Sequence, residues 1–354
     1  MKRTLTKRVR SLLTNDIGID LGTANTLVYL AGRGIVVNEP SVVAVNQKTG
    51  QVVAVGKEAR EMLGRTPGHI RAVRPLVDGV ISDFEVTEEM LAYLIRRAEA
   101  ESPKLLGPRV VIGIPSGITN VETRAVRDAA RSAGAREVHI VEEPMAAAIG
   151  IRLPVHDPVG SMVVDIGGGT TDVAVISLSG IVCSKNIRIA GDKLNDDIIS
   201  YIRNEFKILI GEKTAENLKI AVGSVVEAGA HLEEVVRGRD LVTGLPREVI
   251  ITGTDIREAI AHSVESLVEA VREVLEMTPP EVLADVMQRG VYLVGGGALI
   301  SGMADLLRET LNIPVHVAED PLTAVARGTG VILEDFDALA TVLIANDDDL
   351  SPVA

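Results

Sequence analysis

Residues 16–30 read DIGIDLGTANTLVYL and residues 161–178 read SMVVDIGGGTTDVAVISL, and the echo between them decides the fold. Each runs from an apolar strand into Asp, an aliphatic residue and Gly. Small or hydroxyl residues follow, then a second strand of alternating pattern. Asp20, Gly22 and Thr26 therefore correspond to Asp165, Gly167 and Thr171. An internal repeat of this kind predicts two related α/β lobes, each opening with a glycine-bearing hairpin, placed face to face across a cleft.

Composition agrees. A chain of 354 residues fits two domains of ordinary size. Hydrophobic residues make up 46% of it but aromatics only 2%, so Val, Ile, Leu and Ala must fill buried sheets flanked by helices. The net charge of −13 argues against a nucleic-acid partner, which would need clustered Lys and Arg. Residues 1–14 depart from that average, with Lys2, Arg3, Lys7, Arg8 and Arg10 and no acid. Leu5, Val9, Leu12 and Leu13 share one helical face there, a pattern suited to an anionic lipid surface; a frayed basic leader explains it equally well. No run is long and apolar enough for a transmembrane helix and no signal peptide is visible, which predicts a cytoplasmic protein. Cys183 stands alone, and the histidines at 69, 139, 156, 231, 262 and 316 have no metal-ligand spacing.

Strands alternate with helices throughout. Thr87 precedes the periodic Met90, Leu91, Leu94 and Ile95, and Thr119 with Glu122 forms a capping box. Leu194, Ile198, Ile199, Ile202 and Phe206 share one helical face, and Ile256, Ile260, Val264, Leu267 and Val271 another. The tail 346–354, acidic and broken by Pro352, reads as disordered.

Phosphate binding needs backbone N–H groups that approach without side-chain interference, plus hydroxyl donors. Gly22, Thr23, Ala24, Asn25 and Thr26 supply one such loop, and Gly167, Gly168, Gly169, Thr170 and Thr171 the other. Asp20 and Asp165, at the strand ends before the loops, are placed to hold a hydrated Mg²⁺. Either loop alone would read as an ordinary tight hairpin; the matched pair favours a nucleotide site. Walker spacing fails, because Glu58 follows Lys57 where Ser or Thr is required. A dinucleotide loop fails too, because both hairpins lead into a strand. A third glycine turn, GGGALISG at 295–302, follows an apolar strand and precedes a helix capped by Ser301. Glu142 and Glu143 stand between an apolar strand and Pro144, which suits the first position of a helix. Interaction with the helix dipole explains Glu142 as well as function does, whereas Glu143 is the better catalytic candidate.

DLGTANT at 20–26, EEPMAAAIG at 142–150, DIGGGTTD at 165–172 and GGGALISG at 295–302 resemble the phosphate, connecting and adenosine motifs of the actin, DnaK-type chaperone and sugar kinase superfamily. NEPSVVA at 38–44, GRTPG at 64–68, RPLVDGVISD at 74–83, IPSGIT at 114–119, AGDKLNDDI at 190–198 and GRDLVTGLP at 238–246 narrow the resemblance to the MreB family, from about Asp16 to Leu333. The sequence departs from the commonest family pattern at Asp172, where Glu is more frequent.

The resemblance implies an actin-like ATPase (ribonuclease H-like) fold. Its lobes would span 16–155 and 156–335, each with a smaller subdomain, after the basic segment 1–15 and before a C-terminal segment 336–354. It implies that Thr23, Ala24 and Asn25 contact the phosphates of ATP from one lobe and Gly167 to Gly169 from the other. Glu216, Asn217, Leu218 and Lys219 would enclose the adenosine with Gly296, Gly297, Ala298 and Leu299. Glu143 would position the attacking water with help from Thr170, giving slow hydrolysis. The implied function is a filament-forming cell-shape protein of paired protofilaments, with the helix after Thr119, carrying Val121, Val126 and Ala129, near the lateral contact; the alternative is that these residues are the helix's core face, which is the better reading for Val126. It would lie on the inner face of the cell membrane through residues 1–14 and through Leu105 and Leu106, presented outward by a loop that Pro103, Gly107 and Pro108 enforce and flanked by Lys104 and Arg109. Membrane components of the cell-wall elongation machinery would be its partners. A non-polymerising regulatory ATPase or a small-molecule kinase of the same superfamily are the alternatives; a chaperone would need a further β-rich domain.

Overall fold

A computed structural model describes residues 14–104, 106–227 and 232–345. The expectations for residues 1–13, Leu105, His231 and the tail 346–354 lie outside them. The chain divides into two compact units, one of residues up to 159, 176–181 and from 323 onward, the other of residues 160–175 and 182–322.

In the first unit β1 (Thr14–Leu21), β2 (Asn25–Leu30) and β3 (Gly34–Pro40) form an antiparallel meander. The strands Leu106–Ile114 and Glu137–Glu142 extend it in parallel beyond β1. Ile17, Ile19, Val28, Val110, Ile112 and Ile140 are buried from this sheet, with Met90, Leu91, Leu94 and Ile95 of the helix Phe84–Glu101 in the same core. A small sheet of Val43–Asn46, Val52–Val55 and Ile70–Val73 adjoins it.

The second unit repeats the plan. Its sheet runs Gly180–Ile187, Thr171–Ser177, Ser161–Ile166, Val291–Val294, Val315–Val317, the same order of meander and parallel additions. Ile256, Ile260, Val264, Leu267 and Val271 of the helix Gly253–Met277 are buried in its core as their spacing predicts, with Leu194, Ile198 and Ile202 of the helix Gly191–Glu205. Its small sheet joins Ile208–Leu209, Glu233–Asp240 and Pro246–Thr252.

The helix Ala324–Glu334 packs in the first unit because two glycines permit it. A Cβ on Gly150 would lie 2.0 Å from the Ala324 carbonyl, and one on Gly328 would lie 1.7 Å from that of Ala146. The helices Glu143–Gly150 and Ala324–Glu334 thus meet backbone to backbone.

Five local expectations change. The helix Phe84–Glu101 is capped by Asp83, whose carboxylate accepts from the Val86 N–H; Thr87 is inside the helix and donates back to the Asp83 carbonyl. The helix Met303–Leu311 starts from Gly302 at φ 81°, not from a Ser301 cap, because Val226 fills the space a side chain at 302 would need. In the helix Asn120–Ser132 the Thr119–Glu122 box forms and Val126 is core, the reading preferred for it, but Ala129 is core as well, so of the residues named for a lateral contact only Val121, 78% exposed, reaches the surface. Leu106 opens a strand rather than sitting in a loop, although its side chain stays exposed. Arg109 does not face outward: it pairs with Asp16 at 2.5 Å and stacks on the Phe336 ring at 4.2 Å.

Candidate nucleotide site

Each unit carries its own set of the predicted residues at the carboxyl ends of its parallel strands, where open α/β sheets bind ligands. In the first unit Asp20 pairs with Gly113 and Glu142 with Ile114, so Asp20, next to the last residue of β1, and Glu143, the first residue after the strand Glu137–Glu142, lie at the ends of strands on either side of the Leu106–Ile114 strand. Gly113 lies against both Val325 and Glu143: a Cβ there would fall 2.9 Å from the Val325 Cγ1 and in ordinary contact with the Glu143 Cγ at 3.5 Å. Glu143 itself is buried in the first turn of its helix, beside Pro144. Burial raises the Glu142 carboxyl, opposed by a hydrogen bond with the Ser116 hydroxyl and one from the Gly117 N–H.

The first loop is held by its carbonyls. The Ser41 hydroxyl donates to the Gly22 carbonyl at 2.6 Å, and the Ser41 N–H donates to the Ala24 carbonyl at 3.0 Å. The Thr23 hydroxyl accepts from the Gly79 N–H at 3.1 Å. In a trans peptide the C=O and the following N–H point in opposite directions. The Thr23 and Asn25 N–H groups are therefore turned away from Ser41.

The second loop is held likewise, by the start of a helix. The Gly191 and Asp192 N–H groups donate to the Gly167 and Gly168 carbonyls at 3.1 and 2.8 Å. The helix Gly191–Glu205 has no side-chain cap, and the loop carbonyls take two of its otherwise unpaired N–H groups. The Gly168 and Gly169 N–H groups are thereby turned away from the helix. Thr171 donates its hydroxyl to the Ile189 carbonyl at 2.7 Å, tying the strand after the loop to the same segment. Asp172, buried one residue on, accepts from the Asn186 amide at 2.9 Å.

Within the second unit the predicted adenosine segments are joined to this loop. Lys219 reaches from the helix Glu212–Val222 to the Gly191 carbonyl at 2.8 Å. Burial lowers its ammonium pKa, opposed by Glu216, Asp192 and Glu212. The exit of that helix is tied to the third glycine turn by the Val225 N–H to the Ser301 carbonyl at 2.9 Å. Residues 296–299 form a 3-10 turn, in which Ala298 is buried and Leu299 is 56% exposed. Leu218 is core, and Asn217 lines a small cavity with it against the strand Glu233–Asp240. Two glycines of the turn are required by packing. A Cβ on Gly295, at φ 78°, would fall 2.4 Å from the Asp165 carboxylate, and one on Gly297 would fall 2.1 Å from Ile166. Ser41, Gly191 and Asp192 are the residues that sequence reasoning missed. Their only signal was membership of NEPSVVA and AGDKLNDDI.

The acids suit a hard cation. Burial pushes the Asp20 carboxyl up to about 7, a cost that a cation beside it would relieve. Among the described residues no three His, Cys, Asp or Glu side chains gather into a cage. Mg²⁺ does not need one, because it keeps several waters and takes one or two carboxylates besides phosphate oxygens.

Comparison with known proteins agrees with this geometry. Residues 14–341 match the family model described as MreB/Mbl protein. The cell shape-determining protein Mbl of Bacillus subtilis (strain 168) is 52% identical over 328 residues, covering 93% of this chain and 98% of Mbl. Cell shape-determining protein MreB of Escherichia coli (strain K12) is 52% identical over 335 residues, covering 94% and 96%. The crystal structure of MreB5 of Spiroplasma citri bound to ADP superposes with a TM-score of 0.87 at 40% identity, over 91% of this chain and 97% of MreB5. Its AMPPNP-bound form superposes at 0.86, over 92% and 97%, also at 40% identity. The expected actin-like fold is thereby established, and the chain belongs to the MreB/Mbl family.

Proposed function

We propose that this chain is an ATP-dependent filament-forming protein that assembles on the inner face of the cell membrane and helps determine cell shape by organising cell-wall synthesis. The observation that carries the nucleotide half is the matched construction of the loops: in both units the loop carbonyls are drawn back by protein donors, which turns peptide N–H groups the other way. Such arrays of N–H groups suit phosphate oxygens. ADP and the ATP analogue AMPPNP occupy MreB5, a 40% identical relative.

In this reading Thr23, Ala24, Asn25 and Gly167 to Gly169 hold the phosphates, and Lys219 with the 296–299 turn flanks the adenosine. Mg²⁺, held through Asp20 and Asp165, supplies charge neutralisation on the phosphates. Glu143, assisted by Thr170, orients the attacking water by accepting its hydrogen bond. Phosphoryl transfer to water needs positioning and charge neutralisation more than a strong base, so slow turnover follows.

Membrane association rests on placement. Thr14 pairs with Leu106, which is 46% exposed, so the attachment point of the basic segment 1–13 and the exposed leucine share one end of one sheet. No helix among the described residues is long and apolar enough to cross a membrane. Avidity along a polymer would make weak anchors firm. Self-association into paired protofilaments and contact with the cell-wall elongation machinery are the partner assignments that go with this function.

Electron microscopy of the purified chain with ATP and Mg²⁺ on anionic vesicles, with phosphate release measured in parallel, tests it. Paired filaments on lipid with slow phosphate release are expected. ATP turnover without assembly at any concentration would favour the regulatory ATPase instead.

A further inference from the structure

Ser41 lies between β3 and the strand Val43–Asn46, is fully buried, and touches the first phosphate loop twice. Its hydroxyl is 2.6 Å from the Gly22 carbonyl oxygen and 2.8 Å from the Thr26 hydroxyl. A carbonyl can only accept, and a serine hydroxyl has one proton to give. Ser41 therefore donates to Gly22, and Thr26 donates to Ser41. The resulting chain runs from the Thr26 hydroxyl through the Ser41 hydroxyl to the Gly22 carbonyl, with both side chains out of reach of water. The Ser41 N–H independently fixes the Ala24 carbonyl at 3.0 Å.

One residue thus orients two alternate peptide planes. The plane between Gly22 and Thr23 is set by the hydroxyl, and that between Ala24 and Asn25 by the amide. Their N–H groups belong to Thr23 and Asn25, two of the three residues assigned to the phosphates. The Gly22 peptide has little other freedom to settle: a Cβ at this position would meet the Asn25 carbonyl at 2.5 Å, so the turn is already as tight as glycine allows.

We propose that Ser41, whose hydroxyl and amide are both committed to loop carbonyls, is a positioning residue for phosphate recognition. Its hydroxyl pre-orients the Thr23 N–H, so that ATP finds the donor already aimed. This rests on the first loop being a phosphate loop, and it assigns a role outside the residues expected to meet nucleotide. A buried hydroxyl that merely braced the hairpin would contribute to stability and leave ligand discrimination alone.

The test uses the full chain below its assembly concentration, with Mg²⁺, and compares ATP with adenosine, which has no phosphate. Ser41→Ala removes the donation to Gly22 while keeping the N–H to Ala24. Thr87→Val removes a fully buried hydroxyl of the same unit that donates to the Asp83 carbonyl and touches no carbonyl of the phosphate loop. Ser41→Ala is expected to weaken ATP about five- to tenfold, as befits one lost hydrogen bond in a preorganised site, and adenosine less than twofold. Thr87→Val should weaken ATP by no more than about twofold, since the Ser41 donor survives and the one neutral hydrogen bond lost lies outside the loop. Ser41→Ala with parental ATP affinity, or with ATP and adenosine weakened equally, overturns the proposal. Equal effects of the two variants on the unliganded melting temperature, with no ATP-specific loss in either, would show the bracing role. A folded parent that binds adenosine but gains nothing from the phosphates of ATP would instead sink the phosphate-loop reading, and this proposal with it.

Discussion

The two glycine hairpins do the same job with different parts. The first is held by a side-chain hydroxyl and an amide of one residue, Ser41, on a connection between strands. The second is held by two backbone amides at the start of the helix Gly191–Glu205, with Lys219 tied to the same helix start. A repeat visible in sequence thus conserves the product, loop carbonyls turned back and N–H groups turned out, while the means diverge. The first hairpin should be sensitive to side-chain substitutions. The second should depend on backbone placement, and so on what supports its helix.

The largest effect is expected at Gly22. A Cβ added there would stand 2.5 Å from the Asn25 carbonyl oxygen, a backbone atom that cannot yield without reshaping the turn. Gly22→Ala should abolish ATP binding and lower stability by about 2 kcal/mol, within the usual range for overpacking a rigid site. Calorimetry and thermal unfolding read both. Retained ATP affinity would mean that the first loop does not meet phosphate.

The halves also differ in chemistry, because the candidate water-positioning acid belongs to the first unit. Glu143→Ala should keep ATP affinity within about twofold and slow phosphate release about ten- to a hundredfold, the usual loss for one positioning group. Parental hydrolysis in this variant would move the role to another residue.

Lys219 tests the second hairpin. Its ammonium donates to a backbone carbonyl, a charge-assisted bond, at the residue whose own N–H holds Gly167. Lys219→Met keeps most of the buried stem and removes the donor. ATP affinity should fall about tenfold, from roughly 1.4 kcal/mol of lost interaction, with Lys219→Arg falling less. If Lys219→Met binds ATP like the parent, the amides hold the loop unaided.

Asp20 gives a pH signature to the first half. Burial raises its carboxyl from 3.8 to about 7, so between those values the folded chain binds more proton than the unfolded one. Stability without nucleotide or Mg²⁺ should therefore fall as the pH rises from about 4 to about 7, by at most about 1.4 kcal/mol per pH unit, and then level off. Asp20→Asn should flatten that part of the curve. An unliganded melting curve with the same slope in parent and variant would assign the titration elsewhere.

What sequence disclosed and what it hid follow one physical line. Periodicity and repetition were legible because they are written locally: Ile256 to Val271 fell on a buried face, and the hairpins stood where Asp, Gly and Thr recurred. Thr119 and Glu122 also found each other, being three residues apart. Contacts set by distant segments were not legible. Arg109 looked like a surface cation until Phe336 and Asp16 closed over it, and Ser41 looked like any serine after a proline. Thr87 misled because Asp83 offered a better cap one turn earlier. Gly302 was hidden because the space a side chain would need there is taken by Val226, far away in sequence.

The smallest effect sharpens the contrast between the hairpins. Gly191 looks as indispensable as Gly22, since both are glycines at a candidate phosphate loop. At Gly191, however, an added Cβ would find the Gly167 carbonyl at 3.3 Å, a tight contact that asks the loop to give by a few tenths of an ångström, and the Lys219 ammonium at 3.4 Å. The nearest side-chain neighbour is the end of a flexible lysine, which can shift by a few tenths of an ångström. Gly191 begins a helix, where alanine is also favoured over glycine by up to about 1 kcal/mol in the helix interior and by less at its first position. These terms oppose one another. Gly191→Ala is therefore expected to change ATP affinity by less than about threefold, roughly the effect of half a kilocalorie, with the unliganded melting temperature unchanged or slightly raised. Parallel titrations of Gly22→Ala and Gly191→Ala decide the point. If both lose ATP completely, the second loop has no more tolerance than the first, and the helix start holds its carbonyls as rigidly as Ser41 holds those of the first.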